Sequence, residues 1–352
     1  MQHPTAFQIN VGPLNGLGSL AKFVGPALSA FSSEYALGKV PEVTWDLTHV
    51  EHRHMNMATL TAFLSICHRL REFTGSPQKA LCRWDPQIFA FWDAVSFLEI
   101  AERYGLIEWP KGLLGGYKRA STHPGTRIFV FDYEEAPPRS DLIRWREWKD
   151  RKREFLLDQV MYRCASVLAS DKLGISARAR QEIALFTAEL ALNAILHGRS
   201  AAFVGLQRSP RGVTIAVCDC GLGFAQSIGR TIKSPLTDVQ SLMVGSLMNA
   251  REWGLRRVIE TVLARSGWVP MSTFRGEIRW TPQLWDKATA WANSVSLNSE
   301  NIIIPDEQII GNPLNSSQDR IGGYYRHFQN GLRGSRVSFE IPFQPPERFG
   351  VV

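Results

Sequence analysis

The chain has 352 residues, 44% apolar and 21% charged, with a formal net charge of +7. That balance is globular rather than disordered, and the length predicts two domains. No run approaches about 18 apolar residues, which argues against a membrane-spanning helix, and the N-terminus lacks the charged start and small-residue cleavage site of a signal peptide.

Five scattered cysteines, an odd number, fit a reducing compartment, so a cytoplasmic location is expected. Residues 1–40 are punctuated by Gly and Pro and specify little. PEVTWDLTHV then reads as a strand and MNMATLTAFLSICHRLREF as an amphipathic helix. KALCRW reads as a second strand and AFWDAVSFLEIAERYGLIEW as a second helix. Alternating strands and helices predict a small α/β regulatory domain over residues 1–135. TRIFVFDYEEAPPRSD adds one more strand and a Pro-rich linker.

The densest basic stretch, Arg139 to Phe155, carries interleaved acidic residues. Residues 136–156 therefore read as a solvated helix or linker; Trp145 and Trp148 leave a partner-docking helix as the alternative. The positive charge permits nucleic acid or acidic partners, but no nucleic-acid motif accompanies it, and nucleic-acid binding is not expected.

The second domain is expected over residues 157–345. Ser176 can cap a helix from about Ala177 to His197. AAFVGLQ reads as a strand, SPRG as a type I turn with Pro210 second and Gly212 fourth, and VTIAVCD as the returning strand. Glu189, Asn193 and His197 stand four apart on that helix, and Asp219 ends the returning strand. Residues at i, i+4 and i+8 lie along one drifting face. A solvated face is the alternative for such a trio. Here the spacers are Leu190, Ala191, Leu192, Ala194, Ile195 and Leu196, so the helix is expected to be buried, and buried carboxylates and amides need a partner. A carboxylate and a carboxamide one turn apart can share a magnesium ion and a water. An aspartate followed by Gly-x-Gly can meet a flat heterocycle where backbone must come close. Cys218 and Cys220 flank Asp219 and read as two small buried residues on one strand face, with a metal pair as the alternative.

These residues resemble the GHKL ATPases: DNA gyrase B, the ninety-kilodalton heat-shock chaperone, histidine kinases and MutL. They are similar in particular to small bacterial anti-sigma-factor kinases. Glu189 and Asn193 match the N-box; Asp219, Gly221 and Gly223 match the first glycine box; Gly254 and Leu255 match the second. Gly334, Ser335 and Pro342 match the closing Gly-Thr strand, with serine for threonine. The fold class expected is α+β, with a Bergerat-type sandwich of helices on a mixed sheet behind the smaller N-terminal α/β domain.

The resemblance implies ATP and Mg2+ as cofactors. Asp219 would accept from the exocyclic amine of adenine, Asn193 would hold magnesium, and Glu189 would orient or deprotonate the attacking water. Gly254 and neighbouring amides would face the phosphates, with Arg251, Arg256 or Arg257 adding charge. Gly221, Gly223, Leu255 and Ser335 complete the nucleotide-contacting set. His197 is read as a packing residue. Before Gly254 the stretch SLMNAREW has no glycine nearer than Gly245, where the family carries several.

The first domain loosely resembles the STAS partners of such kinases, in which a phosphorylatable serine opens the first helix; here Asn56 is near that position and Thr59 is the nearest hydroxyl. About fifty residues separate the last two strands, an insertion at about 281–331 read as a partner-binding element, helical over TPQLWDKATAWANSV. The function expected is a magnesium-dependent ATPase or nucleotide-controlled switch regulating a protein partner. The alternatives are a protein-serine kinase acting on a STAS-like partner and a non-catalytic adaptor of a multi-component bacterial system. A homodimer is left open.

Overall fold

In a computed structural model of the chain, residues 6–342 are described except 53–54, 115–125, 169–175, 210–211, 229–234, 249–253, 266 and 296–324. The class is α+β, built on two sheets.

The first sheet has four parallel strands in sequential order: β1 (Ala6–Asn10), β2 (Glu42–Asp46), β3 (Gln78–Leu81) and β4 (Ile107–Glu108). Between them run α1 (Leu17–Ala36), α2 (Met57–Thr74), α3 (Pro86–Ala94) and α4 (Phe97–Arg103). The side-chain period of two puts Ile9, Val43, Trp45 and Ala80 in the core and leaves Glu42 and Lys79 outside, paired at 2.9 Å.

Residues 1–40, which specify little by pattern, form β1 and α1. Pro26 and Gly25 lie inside α1, where propensity disfavours both. Tertiary packing overrides that preference. A methyl on Gly18 would lie 2.7 Å from the Arg326 guanidinium, and one on Gly25 would lie 2.7 Å from Asn330 Cβ. Two glycines seven residues apart thus let α1 lie close on the last strand of the second sheet.

The helix expected over 90–109 is two helices, α3 and α4. The break falls at Ser96, in the left-handed region at φ 63. Asn56 caps α2, accepting from Ala58 N at 2.9 Å and Thr59 N at 3.3 Å. Thr59 is fully buried, and its hydroxyl has no hydrogen-bond partner among the described residues.

The second sheet is β5 (Thr126–Phe131), β6 (Ala202–Arg208), β7 (Gly212–Cys218), β9 (Tyr325–Pro342) and β8 (Val269–Trp280), in that order. Every pairing is antiparallel, in place of the mixed sheet expected. The strand at 126–131, read as part of the first unit, is its first edge, pairing Phe131 with Ala202. Pro210 and Arg211 of the predicted turn lie outside the described residues; Ser209 N donates to Gly212 O at 2.9 Å across it.

One face of this sheet, including Phe129, Val204, Val217 and Phe339, is covered by α5 (Leu142–Leu168), α6 (Ala177–Asn193), α8 (Asp238–Leu247), α9 (Leu255–Ala264) and α10 (Pro282–Ser294). The stretch read as a solvated helix or linker is the first half of α5, exposed or half-buried over 142–155 except at Trp148. Its Trp148, Leu156, Val160 and Cys164 are buried against α6, and Trp148 Nε1 donates to Glu134 at 2.8 Å. Likewise α10, the start of the predicted insertion, puts Leu284, Trp285 and Ala288 into this core, and residues 325–331 belong to β9. The polar stretch between them lies outside the described residues.

The other face belongs to the first domain's core. Ile128, Phe203, Cys218 and Leu332 join Trp45, Phe63 and Phe97 in one cluster. α2 packs on β6 and β7. It comes close because a methyl on Gly205 would sit 2.3 Å from Thr61 Oγ1, and Gly205 pairs with Ala216, another small residue. The helix layer of α1 and α2 therefore serves both sheets. Among the described residues no helix is long and apolar enough to cross a membrane.

Candidate functional site

α6 follows Ser176, ends at Asn193 and passes into a π turn, Ala194–Gly198, closed by Arg199 at φ 54. The α-helix expected to reach His197 is thus shorter. The wider i→i+5 turn takes His197 off the line of Glu189 and Asn193, and such turns gather at functional sites. Glu189 is buried, Asn193 half-buried and His197 exposed.

The π turn delivers Gly198 to the end of β7, where Asp219 stands 3% exposed. Asp219 N donates to Ser335 O at 2.9 Å, and Gly221 N donates to Asp219 Oδ1 at 2.8 Å. Leu222 N donates to Gly198 O at 2.9 Å. Three backbone segments meet at this corner as glycines: the π turn at Gly198, the loop after β7 at Gly221 and β9 at Gly334. A methyl on Gly221 would lie 1.8 Å from Gly198 O. Gly334, at φ 91, would place one 2.0 Å from Asp219 O. At both positions any side chain would collide with backbone, which cannot swing away as a flexible side chain can.

Burial pushes the Asp219 carboxyl up to about 6; the Gly221 amide, the Arg336 guanidinium and Ser335 pull the other way without restoring the ordinary value. A carboxylate in that state gains from any further donor brought to it. Arg336, also buried, donates to Leu332 O at 2.9 Å and Arg333 O at 2.5 Å.

Two members of the corner carry no sequence signal that marks them as functional. Gly198 looks like an ordinary helix-ending glycine. Thr273 sits in a β-strand run, yet its buried Oγ1 accepts from Phe224 N and donates to Gly334 O, both at 3.1 Å, tying α7 (Gly223–Ile228) to β9. A methyl on Gly223 would lie 2.7 Å from that same Oγ1. Thr273→Val should leave a part-buried donor and a buried acceptor unmet and cost about 1–3 kcal/mol, read as a lower thermal midpoint.

Asp219, Gly221, Gly223 and Ser335 are thus brought together. Glu189 and Asn193 lie on the helix that feeds the corner. Glu189 is not open to it: its Oε1 accepts from Arg153 Nε of α5 at 2.5 Å. Gly254 caps α9 and Leu255 is buried in the core beneath; α9 packs on α6, α8 and β8. Arg256 is turned to Glu260 at 2.9 Å and to Leu247 O at 3.2 Å, and Arg257 is exposed. Arg251 and the rest of residues 249–253 lie outside the described residues.

Cys218 and Cys220 are both buried in the first domain's cluster; their thiols donate to Ala58 O and Arg333 O, and burial raises both. Among the described residues no group of three or more His, Cys, Asp or Glu could hold a metal ion. A magnesium that travels with a triphosphate needs only one or two protein oxygens, and the half-buried carboxamide of Asn193 is a hard donor of that kind. Comparison of the chain with protein-family models, curated proteins and solved structures returned no match.

Proposed function

We propose that the chain binds magnesium-ATP in the manner of a GHKL ATPase and acts as a nucleotide-controlled switch on a protein partner. The observation that carries this reading is Asp219: a carboxylate almost wholly buried, at a strand end, with glycine backbone from two other segments, at Gly198 and Gly334, packed round it. A structural aspartate has no need of such a setting. A carboxylate that reads the amine edge of a flat base does, because the base can stack only where side chains are missing.

In this reading Asp219 accepts from the exocyclic amine of adenine, and Gly221, Gly223 and Ser335 line the base. The head of α9 at Gly254 presents free amides to the phosphates, since a helix N-terminus favours anions. Asn193 supplies one oxygen to the magnesium ion, which neutralises phosphate charge. Glu189 receives the proton of the attacking water, a role worth on the order of 10²–10⁴ in rate. Positioning and charge account for most of phosphoryl transfer, so the site needs little more.

The first domain is the regulatory element of the switch, coupled through the shared α1 and α2 layer. Thr59, the hydroxyl nearest the STAS phosphoacceptor position, is sealed in the core and closed to phosphoryl transfer. Titration calorimetry with ATP, with magnesium and with excess chelator, tests the proposal. Binding that weakens on chelation is the expected result; no heat in either condition sinks it.

A further inference from the structure

α5 supplies two cations that the nucleotide reading does not use. Lys149 and Arg153 lie one turn apart, and both feel the charge of Glu189 on α6. Arg153 Nε donates to Glu189 Oε1 at 2.5 Å, and its guanidinium is steadied from the solvent side by Asp150 at 3.5 Å. The Glu189 side chain is 5% exposed and that of Arg153 29%, so the guanidinium covers the carboxylate. A general base must reach the proton it takes, within hydrogen-bond distance or through one water. Glu189 in this arrangement faces α5 instead.

We propose that Arg153 is a brake on turnover: by holding Glu189 against α5 it lets the chain bind nucleotide while hydrolysing it slowly, and loss of the Arg153 contact releases hydrolysis. The inference rests on the nucleotide reading above. In the released step the water oxygen bonds to the γ-phosphorus. The bond from that phosphorus to the bridging oxygen breaks, its electron pair leaves with ADP, and the water proton passes to Glu189 and from there to solvent.

Steady-state hydrolysis and magnesium-ATP calorimetry on wild type, Arg153→Gln, Arg153→Lys and Arg153→Gln/Glu189→Gln test this, each variant first checked for a native melting transition. Arg153→Gln should raise kcat by on the order of tenfold or more, with KM and Kd changed less than about threefold. Arg153→Lys, which keeps the cation, should stay near wild type, and the double variant should fall to background. Arg153→Met replaces Arg153→Gln if the latter does not fold. A folded variant that binds nucleotide and turns over no faster than wild type overturns the brake and leaves the nucleotide reading standing. A wild type that binds no nucleotide overturns both.

Discussion

Asp219→Asn should keep the fold and lose magnesium-ATP binding. The amide retains an oxygen to accept from Gly221 N, so the corner stays closed. Its other atom becomes an NH2 group, which meets the amine of adenine donor to donor. A hydrogen bond to a charged group is worth about 1.5–3 kcal/mol, and the clash adds to its loss, so calorimetry should show at least about 100-fold weaker binding. Stability should not fall. Raising the carboxyl from 3.8 to about 6 means that the ionised form costs the fold about 3 kcal/mol at neutral pH, a cost the amide does not carry. A variant that binds as tightly as wild type would remove Asp219 from the site.

The same group sets a pH dependence. The folded pKa of Asp219 lies above its unfolded value. Its contribution to stability is therefore fully present below about 4 and is lost as pH rises through about 6. Nucleotide binding runs the opposite way, because the base amine needs the ionised form. Affinity should fall about tenfold per pH unit below about 6 and level off above it, with about half a proton released per nucleotide bound at pH 6. Calorimetry in buffers of differing ionisation heat measures that proton directly.

The second large effect is expected at Gly334. Gly334→Ala forces a methyl to within 2.0 Å of Asp219 O and 2.6 Å of Cys220 Cα, in the left-handed region at φ 91. The conformational penalty is about 1–2 kcal/mol and the overpacking penalty about 1–3 kcal/mol. Together they predict a loss of about 2–5 kcal/mol, and a thermal midpoint lower by roughly 3–7 °C for a cooperative unit of this size. Gly16→Ala is the control: its backbone is extended and nothing lies within 4 Å of the added methyl, so its midpoint should move little. Equal shifts in the two variants would mean that the corner is not close-packed.

What could be read from the chain beforehand follows the reach of local pattern. β6, β7 and the core of α6 are legible because their apolar periods are clean and their ends are marked by Ser176 and Asp219. α1 is not, because Gly25 and Pro26 suit a contact with β9, more than 290 residues away in sequence, rather than the helix itself. The start of the buried stripe of α5 is hidden because Trp148 is embedded in a mostly charged run, well before Leu156, Val160 and Cys164. Asp219 is visible by its glycines. The partner of Glu189 is not, since Arg153 looks like one more surface arginine until α5 is laid on α6.

The α1 and α2 layer carries one more consequence. Because it packs on both sheets, the described residues show no seam between them. A fragment starting at residue 157 would lose β5 and half of α5, and Phe203, Cys218 and Leu332 would be turned out to water. The chain should melt in one cooperative transition, not two. A shift of β9 at the Asp219 corner would also press on Gly18 and Gly25 of α1, so the first domain is coupled to that corner by steric contact.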